Sequence, residues 1–563
     1  MSVLASLWRD GWLRNVDHAL ALSLRHARED SSDWVLAAVA LASRALGNGH
    51  SRLPLARLAD LFAEIDASHD ARDLPPLDDW LAMLAVSPWV MNAGAAGASA
   101  TVGRSDFVLV LEGDAISLRR YHDYEYRLAQ ALLLRANGTS RLQLLTGGPG
   151  TGKTTQVARL LVEFSRSASM ATSDSPSSSK PPRILLAAPT GKAASRLSES
   201  VRESLAAQVD AGELDAALAL GLPTQASTLH RMLGWQRGGS FRHDRDHPLP
   251  ADLVVVDEAS MVDLSMMCKL VEAVAPDALL VLVGDRDQLP SVETGDVLAA
   301  LCEASETAGS PLSGCRTHLT HSHRQGEDVD VPQLARLVRD GDAGRAIDGL
   351  VRDSFRGVSW QSEGDTGLHA GLLAQALPAY RSLLDAPDVA TALQRARAFR
   401  VLCAVREGLS GSATINALVS RALDPLRGGQ GWFRGRLLLV TENSYRQQLF
   451  NGDIGIAWPD EQGELRAWFD TDAGPRAWLP AAIPAHESAF AMTVHKAQGS
   501  EFGEVAFVLP ERGARVISRE LIYTGLTRCR RAVTLWATEA VLREGIARRA
   551  QRWSGLAERL RST

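Results

Sequence analysis

Residues 147–154 read Gly147, Gly148, Pro149, Gly150, Thr151, Gly152, Lys153, Thr154, with Thr155 following. Glycines at this density let successive backbone N–H groups close around phosphate oxygens, and a helix starting near Lys153 adds its N-terminal partial charge. A lysine at that spacing reaches the β- and γ-phosphates, and the Thr154 hydroxyl is a ligand for Mg²⁺. Such a loop needs a strand before it and a helix behind it. Residues 142–146 are an apolar run of strand length, and Val157, Leu160 and Leu161 fall at helical spacing. The pattern predicts a P-loop that binds a nucleotide. It does not say what hydrolysis would drive.

Other strand ends carry polar residues that fit the same chemistry. The all-apolar run 253–256 stops at Asp257-Glu258. Downstream of a P-loop, Asp257 is expected to hold Mg²⁺ and Glu258 to orient and deprotonate the attacking water. The run 278–283 closes on Gly284-Asp285-Arg286-Asp287-Gln288, where a neutral amide such as Gln288 could touch the γ-phosphate and report its loss. The run 184–188 ends in Pro189-Thr190-Gly191-Lys192, which presents Thr190 at the C-terminal edge of a parallel sheet, where open α/β folds bind ligands. A plain structural turn fits those four residues equally well. Arg324 and Arg528 fall in the second half of the chain. An arginine stabilises a transferring phosphoryl group only if it reaches it, so both are expected to project into a cleft between two α/β units. For most of the 60 basic residues a surface ion pair is the default reading.

Positioning these groups takes more than one core. The 563 residues, 45% hydrophobic and 22% charged, suggest three or four domains. Residues 1–110 are mostly of helical pattern (16–27, 34–46, 53–65, 80–84). A hairpin is expected over 107–118, turning at Glu112-Gly113-Asp114, then a helix over 119–135. The serine-rich stretch 165–180 reads as a surface loop, and 236–250 as either an extended hairpin or a solvated loop. In the second half, 400–405 reads as a buried strand and 415–423 as a helix. Short strands at 436–440, 454–458, 464–469 and 476–479 predict a small antiparallel barrel within about 430–486. Strands 490–494, 505–509 and 532–536 and the helix 519–527 return to sheet. The expected fold is therefore α/β. It comprises two RecA-like parallel-sheet units (111–318 and 319–563), a β-barrel insert in the second, and an N-terminal helical domain.

Composition excludes other classes. No apolar run is long enough to span a bilayer, and charges throughout residues 1–20 argue against a signal peptide. The five cysteines form no C-x-x-C pair, which argues against zinc or iron–sulfur sites and for a reducing cytoplasm. A net charge of −6 weakly disfavours coating duplex DNA with a basic face and leaves open a grip on one strand in a narrow channel. The C-terminal tail is rich in arginine.

The ordered series GGPGTGKTT, APTGKAASRL, STLHRMLG, VVVDEASMVD, VGDRDQLPSV, LTHSHR, FNGDIG, FAMTVHKAQGSEF and LIYTGLTRCRR, over about 140–536, resembles superfamily 1 helicases of the RecD type. It is similar in particular to the alpha subunits of bacterial exodeoxyribonuclease V. The resemblance implies an ATP-driven motor running 5′→3′ along single-stranded DNA and acting on double-strand ends in recombinational repair. It implies a heterotrimer with RecB-like and RecC-like subunits, the N-terminal domain docking on the latter and a partner cutting DNA. By motif matching, Lys153, Thr154, Asp257, Glu258, Gln288, Arg324 and Arg528 fall on catalytic positions. Gly499, beside Gln498, falls in the motif coupling nucleotide to DNA. Pro189, Thr190, Thr228, His230, Thr493 and His495 fall on DNA-facing segments. The insert, with Asn451-Gly452-Asp453, resembles an SH3-like subdomain. One departure concerns the glutamine that reads adenine upstream of the P-loop in this family. Gln130 is the nearest candidate, in surroundings that do not match, which leaves base selectivity open. A stand-alone RecD-like helicase and a structural subunit with weak ATPase activity are the alternative readings.

Overall fold

The computed structural model describes residues 2–65, 74–93, 107–136, 141–171, 181–236, 238–320, 329–362, 365–426, 428–429, 431–444, 446–471 and 474–561. Arg324 and most of the serine-rich stretch lie outside the described residues. Among the described residues no helix is long and apolar enough to cross a membrane.

The first α/β unit is a six-stranded, all-parallel sheet in the order Arg316–Leu319, Leu142–Gly147, Leu279–Gly284, Leu253–Val256, Ile184–Ala188, Ala226–Thr228. Its central strands are apolar on both faces because helices cover both. Leu144, Val254, Val256, Leu280 and Leu282 pack into one core, and Leu145, Leu253, Val255, Val281 and Val283 into the other. The second unit is a five-stranded parallel sheet ordered Val358–Gln361, Cys529–Trp536, Phe502–Val508, Phe399–Cys403, Ala491–Thr493.

Between Phe399–Cys403 and Ala491–Thr493 the chain leaves this sheet. After the helix Ser412–Leu423 it forms five antiparallel strands in the order Gly474–Trp478, Leu465–Thr471, Ile454–Pro459, Leu437–Val440, His486–Ser488. The four strands expected over 436–440, 454–458, 464–469 and 476–479 therefore exist, each end within two residues. Among its described residues, the stretch 236–250 is a loop with two isolated bridges, Trp235 to Phe241 at its start and Leu249 to Val274 at its end.

The N-terminal unit is helical, with Asn15–Ala27, Asp33–Gly47, Leu58–Ile65 and Leu77–Ala85, but it also holds a four-stranded sheet. The hairpin Leu109–Glu112 and Ala115–Leu118 turns at Gly113, whose φ of +63° suits glycine, and it pairs with Val90–Asn92 and Leu53–Pro54. The hairpin is expected from the sequence, whereas the strands Leu53–Pro54 and Val90–Asn92, of two and three residues, are too short to leave a periodic signal. Leu109, Leu111 and Ile116 pack in the N-terminal core, so that core runs past residue 110.

The arginine-rich tail does not stay with the second unit. After the helix Glu539–Ala547 it crosses back, and Trp553, 7% exposed, enters the N-terminal core. Its ring stacks on His50 with centroids 4.0 Å apart, and the Trp553 backbone N–H donates to His50 Nδ1 at 3.0 Å. Its carbonyl accepts from the Ser51 and Arg52 N–H groups at 3.0 and 3.2 Å. The helix Leu556–Arg561 then seats Leu556 and Leu560 in a core of the first unit. Removing a buried tryptophan costs about 3–5 kcal/mol. Trp553→Ala should therefore lower the unfolding midpoint in urea and expose the tail to limited proteolysis. An unchanged midpoint would show that the tail is not holding the units together.

Candidate active site

The C-terminal edge of the first sheet gathers the polar residues. The P-loop leaves Leu142–Gly147 and enters the helix Lys153–Ala171, with Gly150 at φ +77° and Gly152 at +82°, a region that favours glycine. Gly147 tolerates no side chain, since a Cβ there would lie 2.8 Å from the Leu319 carbonyl. Lys153 Nζ donates to the Gly147 and Gly148 carbonyls at 2.6 and 2.9 Å, at the mouth of the loop.

Next to this strand, Leu279–Gly284 delivers Asp285 and Gln288. Gln288 Nε2 donates to Asp285 Oδ2 at 3.2 Å, and the Tyr523 hydroxyl of the second unit donates to the same oxygen at 3.0 Å. One strand further on, Leu253–Val256 delivers Asp257 and Glu258. Glu258 sits at φ +52°, a strained conformation for a residue with a Cβ. It is held there by its N–H, which donates to Asp257 Oδ1 at 2.8 Å. Burial, then the neighbouring Glu258, push the Asp257 carboxyl above the usual range.

These residues face the second unit across one cavity of about 420 Å³. It is lined by Pro149–Thr155, Gln156, Arg159, Ala193, Arg196, Leu197, Ser200, Asp257, Glu258, Gln288, Gly499, Glu501 and Arg528. Gly499 has φ +71°. Arg528 is 3% exposed, and burial lowers its proton affinity. It donates to the Thr524 and Ser500 carbonyls and the Thr527 hydroxyl at 3.2, 3.5 and 3.4 Å. Among the described residues its hydrogen bonds go to neutral oxygens, which suits this buried guanidinium to receive an anion.

The cavity thus unites Lys153, Thr154, Asp257, Glu258, Gln288, Gly499 and Arg528. Gly148 lines a second, adjoining cavity, and Gly147 stays at the buried strand end. Pro189, Thr190 and Thr228 sit apart, at the ends of the next two strands, where neighbours are about 4.8 Å apart. Thr190 and Thr228 also cap helices, their hydroxyls accepting from Ala193 and Arg231 N–H. His230 is exposed near Phe241. Thr493 ends an edge strand of the second sheet, and His495 lines a third cavity with Leu289, Pro290 and Trp553. Gln130 does not reach the first cavity: its amide donates to the Tyr126 hydroxyl on the outer face of the helix Arg119–Ala136. Sequence reasoning missed Arg196, Glu501 and Tyr523. All three lie inside quoted motifs, but only the folded chain brings them to this cleft.

Asp287 adds a pH dependence. Burial, then the Asp285 charge, lift it from an ordinary 3.8 to about 6. The folded chain holds a proton that the unfolded chain has released, so stability falls as pH rises from 3.8 to about 6. Asp287→Asn should melt above the wild type at pH values beyond about 6, with the gap closing toward about pH 4. Melting curves across that range that stay parallel would contradict this.

Comparison with known proteins follows the same outline. A protein-family model described as the RecBCD enzyme subunit RecD, N-terminal domain, matches residues 9–114. An AAA domain model matches 130–294, and a UvrD-like helicase C-terminal domain model matches 488–536. The RecBCD enzyme subunit RecD of Mycobacterium tuberculosis is 38% identical, the alignment covering 95% of this chain and 92% of that one. Its counterpart in Mycolicibacterium smegmatis is 37% identical over 98% of both chains. The ATP-dependent RecD2 DNA helicase of Deinococcus radiodurans is 32% identical over 77% of this chain and 52% of its own. With identity at this level over nearly the whole length, the chain belongs to the family of RecBCD enzyme subunits RecD.

Proposed function

We propose that this chain is an ATP-driven DNA motor, the alpha subunit of a RecBCD-type helicase–nuclease, and that it runs 5′→3′ along single-stranded DNA. One observation carries the reading. Lys153, Thr154, Asp257, Glu258 and Gln288 from one sheet meet Gly499 and Arg528 from the other around a single cavity. A nucleotide held between two such units closes them when bound and releases them when spent.

Each residue has a role in this reading. The loop amides and Lys153 hold the β- and γ-phosphates of ATP. Thr154 and Asp257 are hard oxygen donors on one cavity, which fits Mg²⁺ with phosphate oxygens completing its shell. Among the described residues no cluster of three His, Cys, Asp or Glu side chains offers another metal site. The ion, when bound, offsets phosphate charge. Glu258 orients the attacking water and takes its proton. Arg528 stabilises the charge on the transferring group, as Arg324 would from the segment outside the described residues. Gln288 reads the γ-phosphate.

Pro189, Thr190, Thr228 and His230 on the first unit, and Thr493 and His495 on the second, are assigned to the DNA strand. Hydroxyls and backbone N–H groups suit phosphate contacts in a chain of net charge −6. The antiparallel insert is read as the SH3-like subdomain, and the N-terminal unit as the face that docks on a RecC-like subunit. A RecB-like subunit completes the heterotrimer, with DNA cleavage in a partner.

Lys153→Gln should lower DNA-stimulated ATP hydrolysis by about 100-fold or more with the fold intact by circular dichroism. Unchanged hydrolysis would refute the site assignment. Direction has its own test. On biotinylated oligonucleotides the chain should displace streptavidin from the 3′ end and leave it on the 5′ end. The opposite preference would reverse the assigned polarity.

A further inference from the structure

Arg196 lines the nucleotide cavity, yet none of the roles above uses it. It projects from the helix Gly191–Asp210 of the first unit and reaches the second. Its Nη1 donates to the Gly499 carbonyl at 2.8 Å, and its Nη2 lies 3.1 Å from Glu501 Oε1. Glu501 accepts from Arg530 Nε at 2.9 Å on its other oxygen. Its side chain is 12% exposed and that of Arg196 30%, so this pair sits in the cleft and is not a screened surface bridge.

The segment that Arg196 grips organises the second unit's share of the site. Gln498 donates to the Leu289 carbonyl at 3.1 Å, next to Gln288. Gly499 turns at φ +71°. The Ser500 carbonyl accepts from Arg528. The other end of the same lever lies at Thr190, whose hydroxyl caps the helix that carries Arg196. Six residues of helix span about 9 Å. One rigid element therefore joins a segment assigned to DNA to the loop that seats Arg528.

We propose that Arg196 is a positioning residue: it clamps the 498–501 loop to the first unit and so passes the state of the Thr190 segment to Arg528. The clamp rests on the motor reading above. Arginine suits it because one planar fork serves a carbonyl and a carboxylate together, which the single nitrogen of a lysine ammonium does less well.

The test is steady-state ATP hydrolysis by the full chain, with and without oligo(dT). The variants are Arg196→Ala, Arg196→Lys, Glu501→Gln and the double variant Arg196→Ala/Glu501→Gln. DNA stimulation of kcat should fall about tenfold in Arg196→Ala and in Glu501→Gln. KM for ATP should move less than about threefold, and the double variant should fall no further than either single one. Arg196→Lys, the variant least disturbing to folding, should recover part of the stimulation. Losses that multiply in the double variant would overturn the clamp. So would a rise in KM with stimulation intact, since Arg196 would then be a phosphate ligand. An active wild type with Arg196→Ala unchanged would sink the clamp alone. A wild type that hydrolyses no ATP would sink the motor reading and the clamp with it.

Discussion

The active-site geometry depends on how Leu289 is held. The residue belongs to the loop after a strand of the first sheet, but the second unit grips it on three sides. Its N–H donates to Thr524 Oγ1 at 2.9 Å, its carbonyl accepts from Gln498, and its side chain, 4% exposed, lies in the second unit's core. Drawing it out would expose a leucine at about 2 kcal/mol and leave two buried polar groups unpaired at about 1–3 kcal/mol each. Gln288 precedes it and Asp285 lies four residues back, bonded to Tyr523. The position of the second unit is thus read directly by residues that face the cavity. Packed interfaces of this kind change between discrete arrangements instead of deforming gradually.

A second constraint binds the N-terminal unit. The buried carboxylate of Glu125, 1% exposed, accepts from the Ser51 and Ser554 hydroxyls at 2.6 and 2.7 Å and from the Gly555 N–H at 3.1 Å. These donors come from the N-terminal unit and the tail, while Glu125 lies on the helix leading to the P-loop strand. A buried charge survives only when satisfied in this way. The tail arginines are spent likewise: Arg559 on Glu112, Arg561 on Glu303, and Arg552 on the Asn48 and Ser291 carbonyls. The basic composition of this segment is thus partly neutralised within the molecule.

Strain and charge concentrate at the cavity itself. Glu258 occupies the left-handed region, a cost of about 1–3 kcal/mol that the surrounding bonds must offset. The Asp257 N–H donates to the Ala187 carbonyl at 2.9 Å and the Met261 N–H to the Glu258 carbonyl at 3.0 Å, fixing the turn on both sides. Two adjacent half-buried carboxylates line the same cavity as a lysine and a buried arginine. Such opposed groups in a half-enclosed space stabilise charge without reorganising when it develops.

Much of this molecule was legible in the sequence. Parallel strands buried on both faces must be continuously apolar, so 253–256 and 278–283 stand out, and chemistry at their ends follows from the fold class. The P-loop depends on left-handed glycines at 150 and 152, which only residue type can supply. The antiparallel insert showed through short strands separated by turn residues at regular intervals, although strands such as Leu437–Val440 are buried throughout. What stayed hidden depends on distance along the chain. The two-residue strand Leu53–Pro54 exists only because Ala115–Leu118 offers it an edge. Trp553 in the tail looks like any tryptophan until His50, some five hundred residues earlier, stacks on it. Arg196 reads as one helical arginine among many until the second unit brings Gly499 and Glu501 against it. Local sequence determined which residues could do chemistry and on which elements they ride. Tertiary structure alone decided which of them share a cavity, because burial and contact depend on segments far apart in sequence.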